Sequence, residues 1–520
     1  MEHQDGPITS DGAGGFVITV DGHEVMIQND RQTLLDVLRG HLGVTSAKDG
    51  CSPQGQCGCC TVLVDGQARV SCVTPARRVA GRNVTTLEGL DAGERSKWSD
   101  AFVRTGGSQC GFCTPGIIMR FAGLRATGTT HTDRAARSLS AHLCRCTGWQ
   151  TVLEAWEAFG DDKGPCLTDR AAERATIEGW ADQAVGSGVA LGRSGFAADT
   201  VPSGALVAVP DKLGEWVVAE TLQEARQIVG KVQGRRTTVN SAPPLGVPTG
   251  RWDAVLRTTW VEPAYLETDA AWCEPGGEPS SPLANGGAFG GKSASPVVEA
   301  ARQLASQHGR AVIAVMSRED TVRLGPKRPP VAGGAMADGT GVMRVVRTPG
   351  IVEAIRAVAP GLEVEELDVA GPPTSVALRA AGWAEAVVLL AGARGSVGAV
   401  VSPDGAVAEA DVEKGRISVL VRCGDPLDTT TLRSYCIGAA HMAWSWVTSE
   451  SLAVDDSGVV GDLSIRSFGI VRAGETPEIE VTIVHDGGRR PCNGSDAVFA
   501  AVAAATWIYR GTPANWPTGP

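Results

Sequence analysis

The sequence predicts an α+β protein made of two unlike parts, and three observations carry that prediction. Short alternating apolar runs joined by Asp-Gly turns precede residue 90, helical periodicity fills residues 90–160, and strands and helices mix irregularly after residue 200. Nine of the 14 cysteines lie before residue 147 in two groups, and the other five are scattered singly. The composition is that of ordinary globular protein, 520 residues with 43% hydrophobic and 20% charged, enough chain for three or four domains.

Taken in order, residues 16–20 and 24–28 read as strands joined through Asp21-Gly22, with a helix at 34–42. Residues 61–64 and 68–72 form a second hairpin through Asp65-Gly66, and a last strand runs over 82–86. Helices are expected at 97–105, 115–126, 132–143 and 149–158, interrupted by Gly106-Gly107 and Gly128. Residues 161–195 read as a linker holding a polar helix at 169–184 among Gly-rich stretches. Farther on, strands at 205–209 and 215–219 precede a helix at 221–230, and a Gly-rich turn at 286–291 leads to a helix at 296–308 and a strand at 311–316. Strands at 362–369, 397–401, 406–410 and 416–421 and an apolar helix at 375–390 complete the reading, with no internal repeat.

A formal charge of −11 argues against a nucleic-acid binder held by phosphate contacts. The opening Met1-Glu2-His3-Gln4-Asp5-Gly6 has acid and no basic region, so neither a secretory nor a twin-arginine leader is expected and the cytoplasm is the predicted compartment. The longest apolar run, residues 498–509, is short of the ~20 residues that cross a bilayer, so no membrane span is expected. In such a compartment 14 cysteines point to metal or redox chemistry rather than structural disulfides.

Cys51, Cys57 and Cys60, with Cys72 after eleven intervening residues, offer four thiolates from one loop and one strand end. That donor set suits a [2Fe–2S] cluster, and Gly50, Gly55 and Gly58 let the backbone wrap closely and turn amides inward. A structural zinc site is the competing reading of the same spacing. Cys59, between two ligands, reads as a bystander thiol. Cys110 and Cys113 at one helix start and Cys144 and Cys146 at another helix end make the second set, where a zinc knuckle or a CxxC disulfide switch is the alternative. Two adjacent four-cysteine sets favour an electron relay.

These motifs carry a family resemblance. Gly50-Cys51-Ser-Pro-Gln-Gly-Gln-Cys57-Gly-Cys59-Cys60-Thr61-Val62, Gln109-Cys-Gly-Phe-Cys-Thr-Pro-Gly116 and Leu143-Cys-Arg-Cys-Thr-Gly148 resemble the two-cluster iron–sulfur unit of the xanthine dehydrogenase/aldehyde oxidase (molybdenum hydroxylase) family, over residues 16–160. The resemblance implies a β-grasp [2Fe–2S] domain over 14–90, a helical [2Fe–2S] domain over 91–160, and Gln109 as the glutamine that approaches the pterin of a molybdenum cofactor. Two departures stand out: five residues separate Cys51 from Cys57 where four are usual, and His142 and Trp149 replace a common Asn and Tyr. Pro53 and the extra loop residue are expected to alter cluster exposure.

Residues 205–330 and 420–510 resemble the molybdenum-binding subunit of the same family through Gly214-Glu-Trp-Val-Val-Ala-Glu-Thr221, Tyr265-Leu-Glu267, Asn285-Gly-Gly-Ala-Phe-Gly-Gly-Lys292, Ser317-Arg-Glu-Asp320, Gly325-Pro-Lys-Arg328 and Gly494-Ser-Asp496. This implies a shortened mixed α/β molybdenum-subunit-like region in pieces at 196–330 and 421–512, with a compact α/β insert at 331–420. It also implies molybdopterin contacts from Gly286, Gly287, Phe289 and Gly290, though a Gly-rich turn with a packed Phe is the plainer alternative. Asp496 stands where the family has its general-base glutamate, and an ordinary helix N-cap is its competing explanation. Family loops of the Arg-Gly-Phe and Gly-Gln-Gly type have no counterpart between 330 and 440, and no GxGxxG follows a strand, so no FAD site is expected in this chain.

Three functions follow. The first is an iron–sulfur oxidoreductase passing electrons through two [2Fe–2S] clusters and hydroxylating a heterocycle or aldehyde at a molybdopterin site. The second is an electron-transfer or scaffold subunit without its own molybdenum cofactor, and the third a zinc-stabilised interaction protein. The resemblance implies a partner that is an FAD-containing or other electron-acceptor subunit, with a molybdenum subunit or a second copy of the chain as further candidates. Cys166, Cys273, Cys423, Cys436 and Cys492 read as isolated buried thiols.

Overall fold

The computed structural model describes residues 15–519 apart from 162, 165, 166, 231, 233 and 235–240. The opening residues read above for a leader and Cys166 therefore lie outside the described residues.

Strands β1 (Phe16–Val20) and β2 (His23–Ile27) pair antiparallel through Asp21-Gly22, both at positive φ (50° and 85°), as a tight two-residue hairpin demands. Strands β3 (Thr61–Val64) and β4 (Gln67–Val70) repeat the device, and β5 (Asn83–Thr85) runs parallel to β1 and antiparallel to β3. The resulting sheet has the order β2-β1-β5-β3-β4. The helix expected at 34–42 is a turn at Leu34–Asp36, closed by a Thr33–Asp36 capping box, that widens over Val37–His41. Its Leu34, Leu35, Val37 and Leu38 are buried.

Helix α1 (Ala92–Thr105) is capped by Asp91 and stopped by Gly106, and α2 (Thr114–Arg125) starts directly after Cys113. Helix α3 (Thr132–Ser138) is shorter than expected, because the chain tightens at 139–141 and delivers His142 to the cysteine-bearing segment. Helix α4 (Gln150–Glu157) follows that segment. Trp98, Phe121 and Trp156 hold these helices together, with ring centroids 5.0–6.2 Å apart. The stretch read as a linker is packed into the molecule: on α5 (Ala171–Gly179) Arg174 and Glu178 are fully buried, and Arg174 donates to Cys492 O at 2.8 Å.

Among the described residues the back part has three four-stranded sheets. The first, ordered β7-β6-β10-β9, uses β6 (Leu206–Pro210), β7 (Trp216–Ala219), β9 (Ala270–Cys273) and β10 (Val312–Val315). Helices α6 (Leu222–Val229), α7 (Val297–His308) and α8 (Arg318–Leu324) accompany it. The second, ordered β13-β12-β11-β8, uses β8 (Ala254–Arg257), β11 (Val331–Ala335), β12 (Gly341–Val346) and β13 (Leu362–Leu367). The third runs β14-β15-β16-β17, from β14 (Val400–Val401), β15 (Val407–Glu413), β16 (Arg416–Arg422) and β17 (Glu478–Ile483).

Helix α9 (Trp383–Arg394) corrects the expectation of a helix from residue 375: Gly382, at φ 83°, precedes its first turn, and residues 375–382 form turns that leave Arg379 buried. Helix α10 (Thr429–Thr448), which the sequence reading did not single out, packs along α11 (Ser495–Tyr509), with Trp446 stacked on Phe499 at 5.2 Å. Both are buried nearly all round, so neither displays an apolar stripe. Among the described residues no helix is long and apolar enough to cross a membrane.

Candidate functional site

All eight predicted ligands are buried. In the first set Cys51 contacts Cys57 and Cys72, and Cys72 contacts Cys60. The amides of Gln54 and Gln56 point at Cys51 Sγ from 3.2 and 3.5 Å. Contact with Cys57 and Cys72, helped by those two amides, holds the Cys51 thiol well below its usual range despite burial. In the second set Cys110 and Cys146 have their sulfurs 3.5 Å apart, and Cys113 contacts Cys144. Cys113, then Thr147 and the amides of Thr147 and Cys146, bring Cys144 down to about 6 against its burial.

Two groups of four soft donors, with backbone amides aimed at sulfur, fit a pair of [2Fe–2S] clusters. In the second set the thiols approach one another two by two, the arrangement of two irons with two thiolates each. No three metal-binding side chains among the described residues converge to hold a single ion. Cys59 is fully buried and its Sγ faces Cys57 O at 3.8 Å, so it is no surface thiol. Gly116 on α2 lies against Gly58 O and the Cys59 backbone, and a side chain there would part the two cysteine-bearing elements.

The back part fixes both loops. Gln54 donates to Glu319 Oε1 and Leu463 O, both at 3.0 Å, and its carbonyl receives the Ile465 amide. Arg145, between Cys144 and Cys146, makes a buried two-pronged pair with Glu450 at 2.6 and 2.7 Å. Asn285 donates to Cys110 O at 3.0 Å. The Gly-rich turn closes on the second set: Gly287, at φ 77°, has Cys110 Cβ 2.8 Å and its sulfur 3.1 Å from where a Cβ would stand. Here only glycine is tolerated, because both the backbone conformation and the space forbid a side chain. Gly286 abuts Gln183 and Gly290 abuts the Ala377 carbonyl. Gln109 donates to Cys146 O at 3.0 Å and Ser434 Oγ at 2.9 Å, on α10.

Phe289 and Asp496 come together through Arg379, a residue the sequence reading passed over. Its guanidinium lies 4.7 Å from the Phe289 ring, its amide donates to Phe289 O, and its Nε stands 3.2 Å from Asp496 Oδ1. That last pair is in ion-pair range but off the line of a hydrogen bond, and neither atom has another hydrogen-bond partner. Burial first, with Glu178 and Asp404 adding to it, pushes Asp496 up to about 7 against Arg379 and Arg328. Gly494, not Asp496, occupies the helix cap, so the N-cap explanation of Asp496 is corrected. The only local signal for Arg379 was a lone cation in an apolar run.

Other matched residues are structural. Lys292 pairs with Glu267 at 2.6 Å, Ser317 and Asp320 form a capping box, and Arg328 pairs with Glu385 at 2.7 and 2.9 Å beneath Trp446. Between Phe289, Arg379, Arg328 and Arg145 a cavity of about 30 Å³ remains, room for a water molecule or two. Of the residues assigned to a pterin, Gln109 and Gly287 touch the second cysteine set and Phe289 lines this cavity, which as the chain is arranged is too small for a pterin.

A family model for a [2Fe-2S] binding domain matches residues 86–157. The nicotine 6-hydroxylase small subunit of Paenarthrobacter nicotinovorans is 41% identical over 140 residues, 26% of this chain and 84% of that one. The xanthine dehydrogenase iron-sulfur-binding subunit of Escherichia coli O157:H7 is 39% identical over 140 residues and covered to 87%. The aldehyde oxidoreductase of Megalodesulfovibrio gigas is 43% identical over 145 residues, but these span only 16% of its length. The solved aldehyde oxidoreductase from Desulfovibrio gigas shares the fold across 97% of this chain and 99% of its own, with a TM-score of 0.70 at 14% identity. With its cysteine sets, its fold and small-subunit relatives matched over most of their length, this chain belongs to the xanthine dehydrogenase/aldehyde oxidase (molybdenum hydroxylase) family.

Proposed function

We propose that the protein is an iron–sulfur oxidoreductase that carries electrons through two [2Fe–2S] clusters, one held by Cys51, Cys57, Cys60 and Cys72 and the other by Cys110, Cys113, Cys144 and Cys146. The observation that carries this reading is the burial of both thiol sets against each other, around Gly58, Cys59 and Gly116. Electrons leave to an FAD-containing or other electron-acceptor subunit, in the cytoplasm, where the thiols stay reduced until iron binds. Elemental analysis of protein purified without oxygen tests it: about four irons per chain are expected, and zinc in their place would refute it.

A second reading, hydroxylation of a heterocycle or aldehyde at a molybdopterin beside Phe289, is favoured by one observation. Asp496, a carboxyl held near neutrality, faces Arg379 across from that ring. It requires the cavity there to open. Molybdenum near one per chain, with turnover abolished in Asp496→Asn and the cluster signals unaltered, identifies this reading. Iron without molybdenum leaves the electron carrier.

A further inference from the structure

A cavity of about 220 Å³ lies on the outer side of the first cysteine loop, between that loop and the first sheet of the back part. Its floor is Ser52-Pro53, one peptide bond from Cys51, and its walls are Val209, Leu222, Val229 and Val315. Arg226 fixes the floor, donating to Ser52 Oγ at 2.5 Å and to Asp49 Oδ2 at 3.3 Å. Lys212 stands exposed at the rim.

The carboxylates that line the space are engaged elsewhere. Asp211 receives the amides of Leu213 and Glu215, Glu319 receives Gln54, and Asp320 serves the Ser317 cap and Arg323. What the cavity presents is therefore mostly apolar wall, with Lys212 at its rim and Arg226 held by Ser52 and Asp49. At 220 Å³ it is smaller than the roughly 300–1,000 Å³ of drug-sized sites, which selects a ligand of one or two fused rings over a flavin nucleotide.

We propose that this cavity binds a bicyclic quinone, a planar aromatic two-electron acceptor, against Ser52-Pro53 and so provides an electron exit beside Cys51. The proposal builds on the two-cluster reading above. A quinone bound there takes two electrons, one from each reduced cluster, and two protons from solvent, and leaves as the hydroquinone. The lengthened Cys51–Cys57 loop thereby gains a role, because its Ser52 and Pro53 form the floor.

The probe is 2,3-dimethyl-1,4-naphthoquinone, whose substituted ring does not alkylate thiols. Equilibrium dialysis against the oxidised holoprotein should give one saturable site per chain, lost in Val229→Trp, which fills the cavity from α6, and kept in Ile228→Trp on the exposed side of that helix. In stopped flow, the dithionite-reduced protein should recover its cluster absorbance at a rate that saturates with quinone and falls at least tenfold in Val229→Trp. Ferricyanide, which needs no cavity, should reoxidise both proteins equally. Binding that is absent or unchanged by Val229→Trp, or equal quinone rates in both proteins, overturns the proposal. Failure of dithionite to bleach the protein overturns the cluster reading instead, and dialysis still decides the cavity.

Discussion

In the front part the eight candidate ligands come from three short stretches of sequence, 51–72, 110–113 and 144–146, and nearby backbone amides face the sulfurs of Cys51 and Cys144. Around Phe289 in the back part, the charged pairs Arg328–Glu385 and Arg379–Asp496, with Arg145–Glu450 reaching across from the front part, join residues 57, 117 and 305 positions apart. The first kind of site is ready for a large inorganic group. The second is occupied by the chain's own ions, and it keeps only enough room for water. Burying charge is costly unless each ion has its partner, so these pairs hold the back part in one arrangement.

The comparison breaks most sharply at the cysteines. Cys57→Ser and Cys113→Ser should each remove one cluster, about half the iron, and leave the other cluster's spectrum in place. Simultaneous loss of both would show that the sets are not independent. Next in size, Arg328→Met strands the buried Glu385 carboxylate and should cost about 3–5 kcal/mol in chemical denaturation.

Asp496 gives a pH signature that no cluster ligand shares. Its folded pKa, about 7, lies above the ordinary carboxyl value, so the folded protein binds the extra proton and stability falls as pH rises from about 4 to 7. Above pH 7 the loss is complete, by up to about 4 kcal/mol. Asp496→Asn should flatten that slope, and an unchanged pH–stability curve would remove the carboxyl from the account.

Deleting Pro53 should shift the midpoint potential of the first cluster and leave the second where it was, since Pro53 belongs to the loop that screens Cys51. The smallest effect is expected at Arg302, whose pairs with Glu278 and Glu299 are exposed. Arg302→Ala should leave the midpoint of the same denaturation curve essentially unmoved.

The same contrast explains what the sequence made legible. Cysteine spacing, Asp-Gly hairpins and helix breakers are local signals, and they located both thiol sets and the first sheet. The Asn285–Lys292 motif located the turn, but not that Gly287 would close on Cys110. Helix α10 gave no amphipathic period because every face is covered, and Arg379 gave none because its meaning depends on Phe289 and Asp496, which lie 90 and 117 residues away. Residues 171–179 looked like linker helix because a polar sequence ordinarily faces water, whereas in the interior Arg174 pairs with Glu178 and donates to Cys492 O, and the Glu178 carboxylate accepts from the Gly494 and Ser495 amides.

The most direct test of the central claim is the electron paramagnetic resonance spectrum of the dithionite-reduced protein. Two distinguishable [2Fe–2S] signals, together integrating to about two spins per chain, are predicted. A single signal, or none from protein that retains its metal, would contradict it.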